Sequence, residues 1–72
     1  MTKDKLKTAI GKRIIALREA KGWSQSDLAR ACNKDRQAIE VLENGKVNAT
    51  IYTLYTIAQG LDVPLDQITK ID

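Results

Sequence analysis

Seventy-two residues with a formal charge of +3 make one small domain, and a chain this short buries only about 60% of the surface it exposes when unfolded. One cysteine and no histidine exclude a disulfide framework and a Cys/His zinc site, so no metal or cofactor is expected, and dimerisation is left to supplement the thin core. The absence of histidine, of any nucleophile–base pair and of a glycine-rich phosphate loop also argues against an enzyme.

Apolar residues recur at helical spacing throughout, with glycines 11, 22, 45 and 60 mostly as punctuation. Leu6, Ile10, Ile14 and Leu17, widened by Ile15, predict a first helix from about Lys5 to Lys21. Gly22 stops it and Trp23 can fold back onto its end. Ser24, three residues before Asp27, has capping-box spacing and opens a second helix with Leu28, Ala29 and Cys32 inward. Asn33 tolerates the left-handed conformation needed to end it. Asp35 caps a third helix with Ala38, Ile39 and Leu42 inward, stopped at Asn44-Gly45. Thr50 caps a fourth with Ile51, Leu54, Ile57, Ala58 and Leu61 inward. Pro64 suits the first turn of a short fifth helix carrying Leu65 and Ile68. The expected fold is all-α, a compact bundle of five short helices forming a single domain over residues 1–72.

Helices two and three are joined by only two or three residues, so they must cross steeply, which requires a small residue where they meet. Ala29 is that residue, and Gln25, Ala29, Asn33, Ile39 and Leu42 stand at helix-turn-helix spacing over about residues 25–43. Ile39 and Leu42 anchor the third helix and turn Arg36, Gln37 and Val41 outward. Charge is uneven along the chain. Residues 1–46 hold eleven of the twelve Lys/Arg against six acids, a net of +5, whereas residues 47–72 carry a net of −2. That distribution suits a protein that lays one face on a polyanion, although an ordinary surface can be uneven too. Lys5, Lys7, Lys12 and Arg13 read as a solvated face.

Residues 11–68 resemble the phage repressor/Cro class, or XRE family. The resemblance rests on Arg18, on Trp23-Ser24-Gln25-Ser26-Asp27-Leu28-Ala29, on Ile39-Glu40-Val41-Leu42-Glu43-Asn44-Gly45, and on Thr53-Leu54-Tyr55-Thr56-Ile57-Ala58. Two positions depart from the family pattern. Asn33 replaces the usual turn glycine and keeps its backbone conformation, and Ala49 replaces the usual proline and loosens the loop after Lys46.

The resemblance implies a lambda-repressor-like DNA-binding domain whose recognition helix, about residues 36–43, enters the major groove. Arg36 and Gln37 are then the base readers, Arg to guanine and Gln to adenine, with Val41 placed for a thymine methyl. Ser24, Gln25, Asn44, Lys46 and Asn48 become phosphate contacts. Arg18 and Glu43 become an internal ion pair, Cys32 a core residue, and Tyr52 and Tyr55 core rim or dimer contacts. The implied function is transcriptional regulation by a homodimer on an inverted-repeat operator, of the phage-regulator or restriction–modification-controller kind. An antitoxin or other protein-interaction module that keeps its helix-turn-helix is the alternative. Leu65, Ile68 and Ile71, apolar and late in the chain, are expected to form the dimer contact with helix four. No apolar run suggests a signal peptide or membrane span, and Met1 suggests a complete gene product, so a cytoplasmic, nucleoid-associated protein with no small-molecule ligand is expected.

Overall fold

Four of the five helices start on a side-chain oxygen and stop on a left-handed residue. In the computed structural model, which describes residues 1–71, the elements are α1 (Lys3–Ala20), α2 (Gln25–Ala31), α3 (Arg36–Glu43), α4 (Ile51–Leu61) and α5 (Asp66–Thr69). Thr2, Ser24, Asp35 and Thr50 accept the amide three residues on, each satisfying a donor the helix itself cannot. Gly22, Asn33, Gly45 and Asp62 then take positive φ. Each is followed by an amide that reaches back five residues: Trp23 to Arg18, Lys34 to Ala29, Lys46 to Val41 and Val63 to Ala58, at 2.8–3.2 Å. This repeated stop motif brings the chain sharply off each helix.

Several boundaries and faces differ from the sequence reading. The first helix begins at Lys3 and not Lys5, because Thr2 caps it and Asp4 suits its positive start. The turn of the helix-turn-helix takes four residues, Cys32 to Asp35, since α2 closes one residue early on Ala31. Pro64 lies outside the fifth helix. Its carbonyl and that of Leu65 accept from Gln67 and Ile68, forming a tight i→i+3 turn before regular helix begins.

The core gathers Ile14, Leu28, Ile39, Ile57, Leu61 and Ile68, all fully buried, with Ala29, Leu42, Leu54 and Ala58 beside them. Ile10, Leu17, Trp23, Cys32, Val63 and Leu65 pack around this set while keeping some exposure. Leu6 and Ile51, expected inward, are exposed. Both stand on the first turn of their helices, overhanging the core, where they line a groove with Ile10, Val47 and Ile71. Ile68 is corrected in the opposite sense. At 0% exposure it belongs to the protomer's own core and has no surface to offer a partner.

Two glycines do packing work rather than punctuation. A Cβ on Gly11, midway along α1, would stand 2.8 Å from the Leu42 carbonyl oxygen and 2.9 Å from the Glu43 carbonyl carbon. The end of α3 therefore seats directly on the α1 backbone. A Cβ on Gly60 would run into Cys32 Sγ and come within 3.2 Å of the Ala31 backbone, which fixes α4 against the end of α2.

Candidate nucleic-acid interface

The geometry of α3 starts from a buried ion pair. Arg18 Nε donates to Glu43 Oε2 at 2.6 Å and Nη2 to Oε1 at 3.0 Å, while Nη1 donates to the Trp23 carbonyl at 2.8 Å. Their side chains are 12% and 2% exposed, so this bidentate pair works in a poorly solvated setting where it ties α1 to the last turn of α3. Donating to the Glu43 carboxylate raises the Arg18 guanidinium pKa above its ordinary value, against the desolvation that lowers it.

Glu43 Oε1 accepts a further bond, from Gln25 Nε2 at 2.9 Å. Gln25 Oε1 in turn accepts from Arg36 Nη1 at 3.2 Å, and the same Nη1 donates to Glu40 Oε2 at 3.0 Å. A continuous polar chain thus runs from α1 through the buried carboxylate to the exposed first turn of α3. Among the described residues no buried side-chain nitrogen or oxygen lacks a partner.

Arg36 and Gln37 are exposed on that first turn, and Val41, one turn further, is half-buried. Ile39 and Leu42, on the opposite face, are buried, so the helix cannot roll without opening the core. Val41 lines a shallow depression with Lys34, Ala38, Val47 and Asn48. Asn44, Lys46 and Asn48 are exposed beyond the end of α3. The Lys46 main-chain amide is engaged with the Val41 carbonyl, which leaves its ammonium as the free group.

The start of α2 is more committed than the sequence suggests. Ser24 accepts from the Asp27 amide at 3.1 Å, and its own amide donates to the Asp27 carboxylate at 2.9 Å. Those bonds, with help from Arg30, hold the Asp27 carboxyl below its usual range. The Gln25 side chain points to Glu43 and Arg36. A phosphate contact from Ser24 would come through its hydroxyl hydrogen, because its amide is engaged with Asp27, and one from Gln25 through its main-chain amide or a rearranged side chain. Apolar spacing could not reveal this polar chain, although the i,i+4 pairing of Arg36 with Glu40 was open to a charge-pattern reading.

Two other residues behave differently from their expected roles. Arg13, read as part of a solvated face, donates from Nε to the Gln67 carbonyl at 2.9 Å and straps α5 to α1. Cys32 is half-buried at the rim, and burial pushes its thiol up, away from the thiolate a reactive cysteine needs. Among the described residues no helix is long and apolar enough to cross a membrane, and no three His, Cys, Asp or Glu side chains gather where a metal could bind.

Residues 14–68 match the helix-turn-helix family HTH_3. The chain is 40% identical over 48 residues to the HTH-type transcriptional regulator SutR of Escherichia coli, a match covering 67% of this chain but 27% of that protein. It thus spans about a quarter of the SutR length. It is 33% identical over 58 residues to an uncharacterised HTH-type transcriptional regulator, y4dJ, of Sinorhizobium fredii, covering 81% of this chain and 75% of the relative. The solved structure of the restriction-modification controller protein C.AhdI from Aeromonas hydrophila superposes with a TM-score of 0.88 at 28% identity, over 94% of this chain and 99% of that one.

Proposed function

The chain belongs to the helix-turn-helix family HTH_3, and on that premise we propose that it is a sequence-specific, double-stranded-DNA-binding transcriptional regulator. The observation that carries this reading is the exposed first turn of α3. Arg36 and Gln37 stand exposed on it while Ile39 and Leu42 lock its other face into the core. Rigid presentation of a few polar side chains on a helix is what reading base edges in a major groove requires. Arg36, Gln37 and Val41 are the base-reading residues. Asn44, Lys46 and Asn48 anchor the phosphate backbone, with Ser24 and Gln25 contributing at the start of α2. Residues 1–72 act as one cytoplasmic DNA-binding domain, a binding protein and not an enzyme. The likeness to the controller protein C.AhdI, over 94% of this chain and 99% of that one, favours a regulator of the controller type.

One α3 reads too few base pairs for useful specificity, so the protein acts as a two-fold dimer on an inverted repeat. Its recognition helices would then be about 34 Å apart, one helical turn. The contact comes from the exposed apolar residues of α4, namely Ile51, Tyr52 and Tyr55, joined by the half-buried Leu65 and Ile71.

The test separates readout from anchoring. DNA selected from a random pool supplies a cognate duplex, and a scrambled duplex serves as control. Gln37→Ala is expected to lose ~1–3 kcal/mol on the cognate site and to relax one base pair per half-site. Its salt dependence should stay as in the wild type, because no cation has been removed. Lys46→Ala is expected to weaken both duplexes alike and to lower the slope of log K against log salt by about one for each phosphate it no longer neutralises. Equal weakening of both duplexes by Gln37→Ala, with base preference intact, would remove Gln37 from the readout. Failure of the wild type to bind either duplex at low salt would end the DNA-binding reading.

A further inference from the structure

The polar chain that ends on Arg36 leaves that residue in a particular state. A guanidinium carries five N–H donors in a rigid fork, two on each terminal nitrogen and one on Nε. Here Nη1 has two acceptors for its two hydrogens, Gln25 Oε1 at 3.2 Å and Glu40 Oε2 at 3.0 Å. Nε and Nη2 have no acceptor among the described residues, and together they form a parallel pair of donors on the free edge. The O6 and N7 acceptors of guanine match such an edge. The two holders differ in rigidity. Gln25 is itself fixed, through Nε2, to the buried Glu43–Arg18 pair. Glu40 is a partly exposed carboxylate on α3, one turn beyond Arg36.

Helix stability gives little reason for this pair. Arg36 is the first residue of α3, at the positive end of the helix, and an Arg-to-Glu order at i,i+4 runs against the helix dipole. A carboxylate on a DNA-facing helix also repels phosphate, so it must be justified by something other than general affinity.

We propose that Glu40 is a positioning residue for Arg36: with Gln25 it holds Nη1 and thereby directs the Nε/Nη2 edge of the guanidinium at a single guanine in each half-site. The proposal rests on the reading of α3 as the DNA-reading helix. It makes specificity and raw affinity move in opposite directions at position 40. Without the carboxylate, Arg36 samples other rotamers and can reach phosphates or other bases, while the surface as a whole becomes more attractive to DNA.

The experiment uses the full chain with the duplex selected by the wild type and a set of duplexes substituted singly along one half-site. Arg36→Ala identifies the position that depends on Arg36, where it should abolish the guanine preference. Glu40→Ala is expected to reduce the preference at that same position by about fivefold, the scale of one well-placed hydrogen bond. The Gln37-dependent position should keep its preference, and random duplex should bind as tightly as before or more tightly. Glu40→Gln, which retains an acceptor of similar reach, is expected to restore most of the guanine preference. Melting curves for all variants establish that equal amounts are folded. The proposal is overturned if Glu40→Ala keeps the full preference, if it loses preference at every position together, or if Glu40→Gln relaxes it as much as Glu40→Ala. In each of those cases the effect of Arg36→Ala still stands. If instead the wild type has no base preference, the DNA-reading assignment of α3 falls, and if Arg36→Ala alters no preference, Arg36 leaves the readout; in either case the role of Glu40 falls with it.

Discussion

Arg18 is the residue on which most of the polar architecture depends. It fills both oxygens of Glu43 and the Trp23 carbonyl, and through Glu43 it holds Gln25. Truncation would leave a carboxylate that is 2% exposed without its counter-charge, at a cost of ~3–5 kcal/mol. Arg18→Ala is therefore expected to melt well below the wild type in thermal or denaturant unfolding, and to lose DNA affinity mainly through the fraction that unfolds, with a smaller loss from the loosened Gln25–Arg36 contact. A normal melt combined with failed binding would instead place Arg18 among the DNA contacts. Charge alone does not mark out such a residue. Lys5, Lys12 and Arg18 are all cations on α1, and only burial separates the last from the others.

At the scale of the elements, the seat of α3 on α1 is set by a missing side chain. Alanine is favoured over glycine within a helix by ~1 kcal/mol, so Gly11→Ala in α1 would stabilise the helix taken alone. In the folded protein the added methyl meets the Leu42 carbonyl oxygen at 2.8 Å, and a backbone carbonyl at the end of a packed helix cannot step aside cheaply. Overpacking of this kind costs ~1–3 kcal/mol, which exceeds the gain in propensity. Gly11→Ala is expected to lower the denaturation midpoint without changing its slope. A midpoint equal to or above that of the wild type would show that α1 and α3 can separate at little cost. The same seat fixes the height at which Arg36 and Gln37 leave the surface, so the destabilisation should be accompanied by weaker binding to the selected duplex.

The whole molecule measures 31 × 22 × 21 Å, so a protomer covers no more than about one turn of duplex. Residues 1–46 carry the net positive charge and the residues from 47 on are net acidic. In the proposed dimer the partner meets the less basic side, and the exposed Ile51 and Tyr52, at 68% and 74%, supply the apolar area. Wild-type melting should then rise with protein concentration, as it does when folding and association are linked. Ile51→Lys combined with Tyr52→Lys is expected to sediment as a monomer and to lose most of its affinity for the inverted repeat, while keeping its helical spectrum. Ile68→Ala should behave differently. It opens a cavity in the protomer core, costs ~2–5 kcal/mol, and lowers stability at every concentration. A wild type that is monomeric at the concentrations where it binds, with no inverted repeat in the selected DNA, would eliminate the dimer.

The helix-turn-helix fold was legible in the sequence because its punctuation is local. Ser24, Asp35 and Thr50 cap the amide three residues on, and Gly22, Asn33 and Gly45 tolerate the left-handed conformation, both rules that act within a single turn of chain. Asp62 performs the same service on α4 but escapes notice, since aspartate is less often found there. Apolar spacing also picks out the buried faces of α2 and α3, because Leu28, Ala29, Ile39 and Leu42 repeat at the helical period. What the period cannot state is which surface lies opposite, or how far a stripe extends before the core ends. Only the tertiary structure exposed Leu6 and Ile51 and buried Ile68. Only it joined Arg13 to Gln67 across 54 residues and Glu43 to Gln25 across 18. Those contacts depend on where five helices come to rest against one another, and the polar chain holding Arg36 exists only once they have done so.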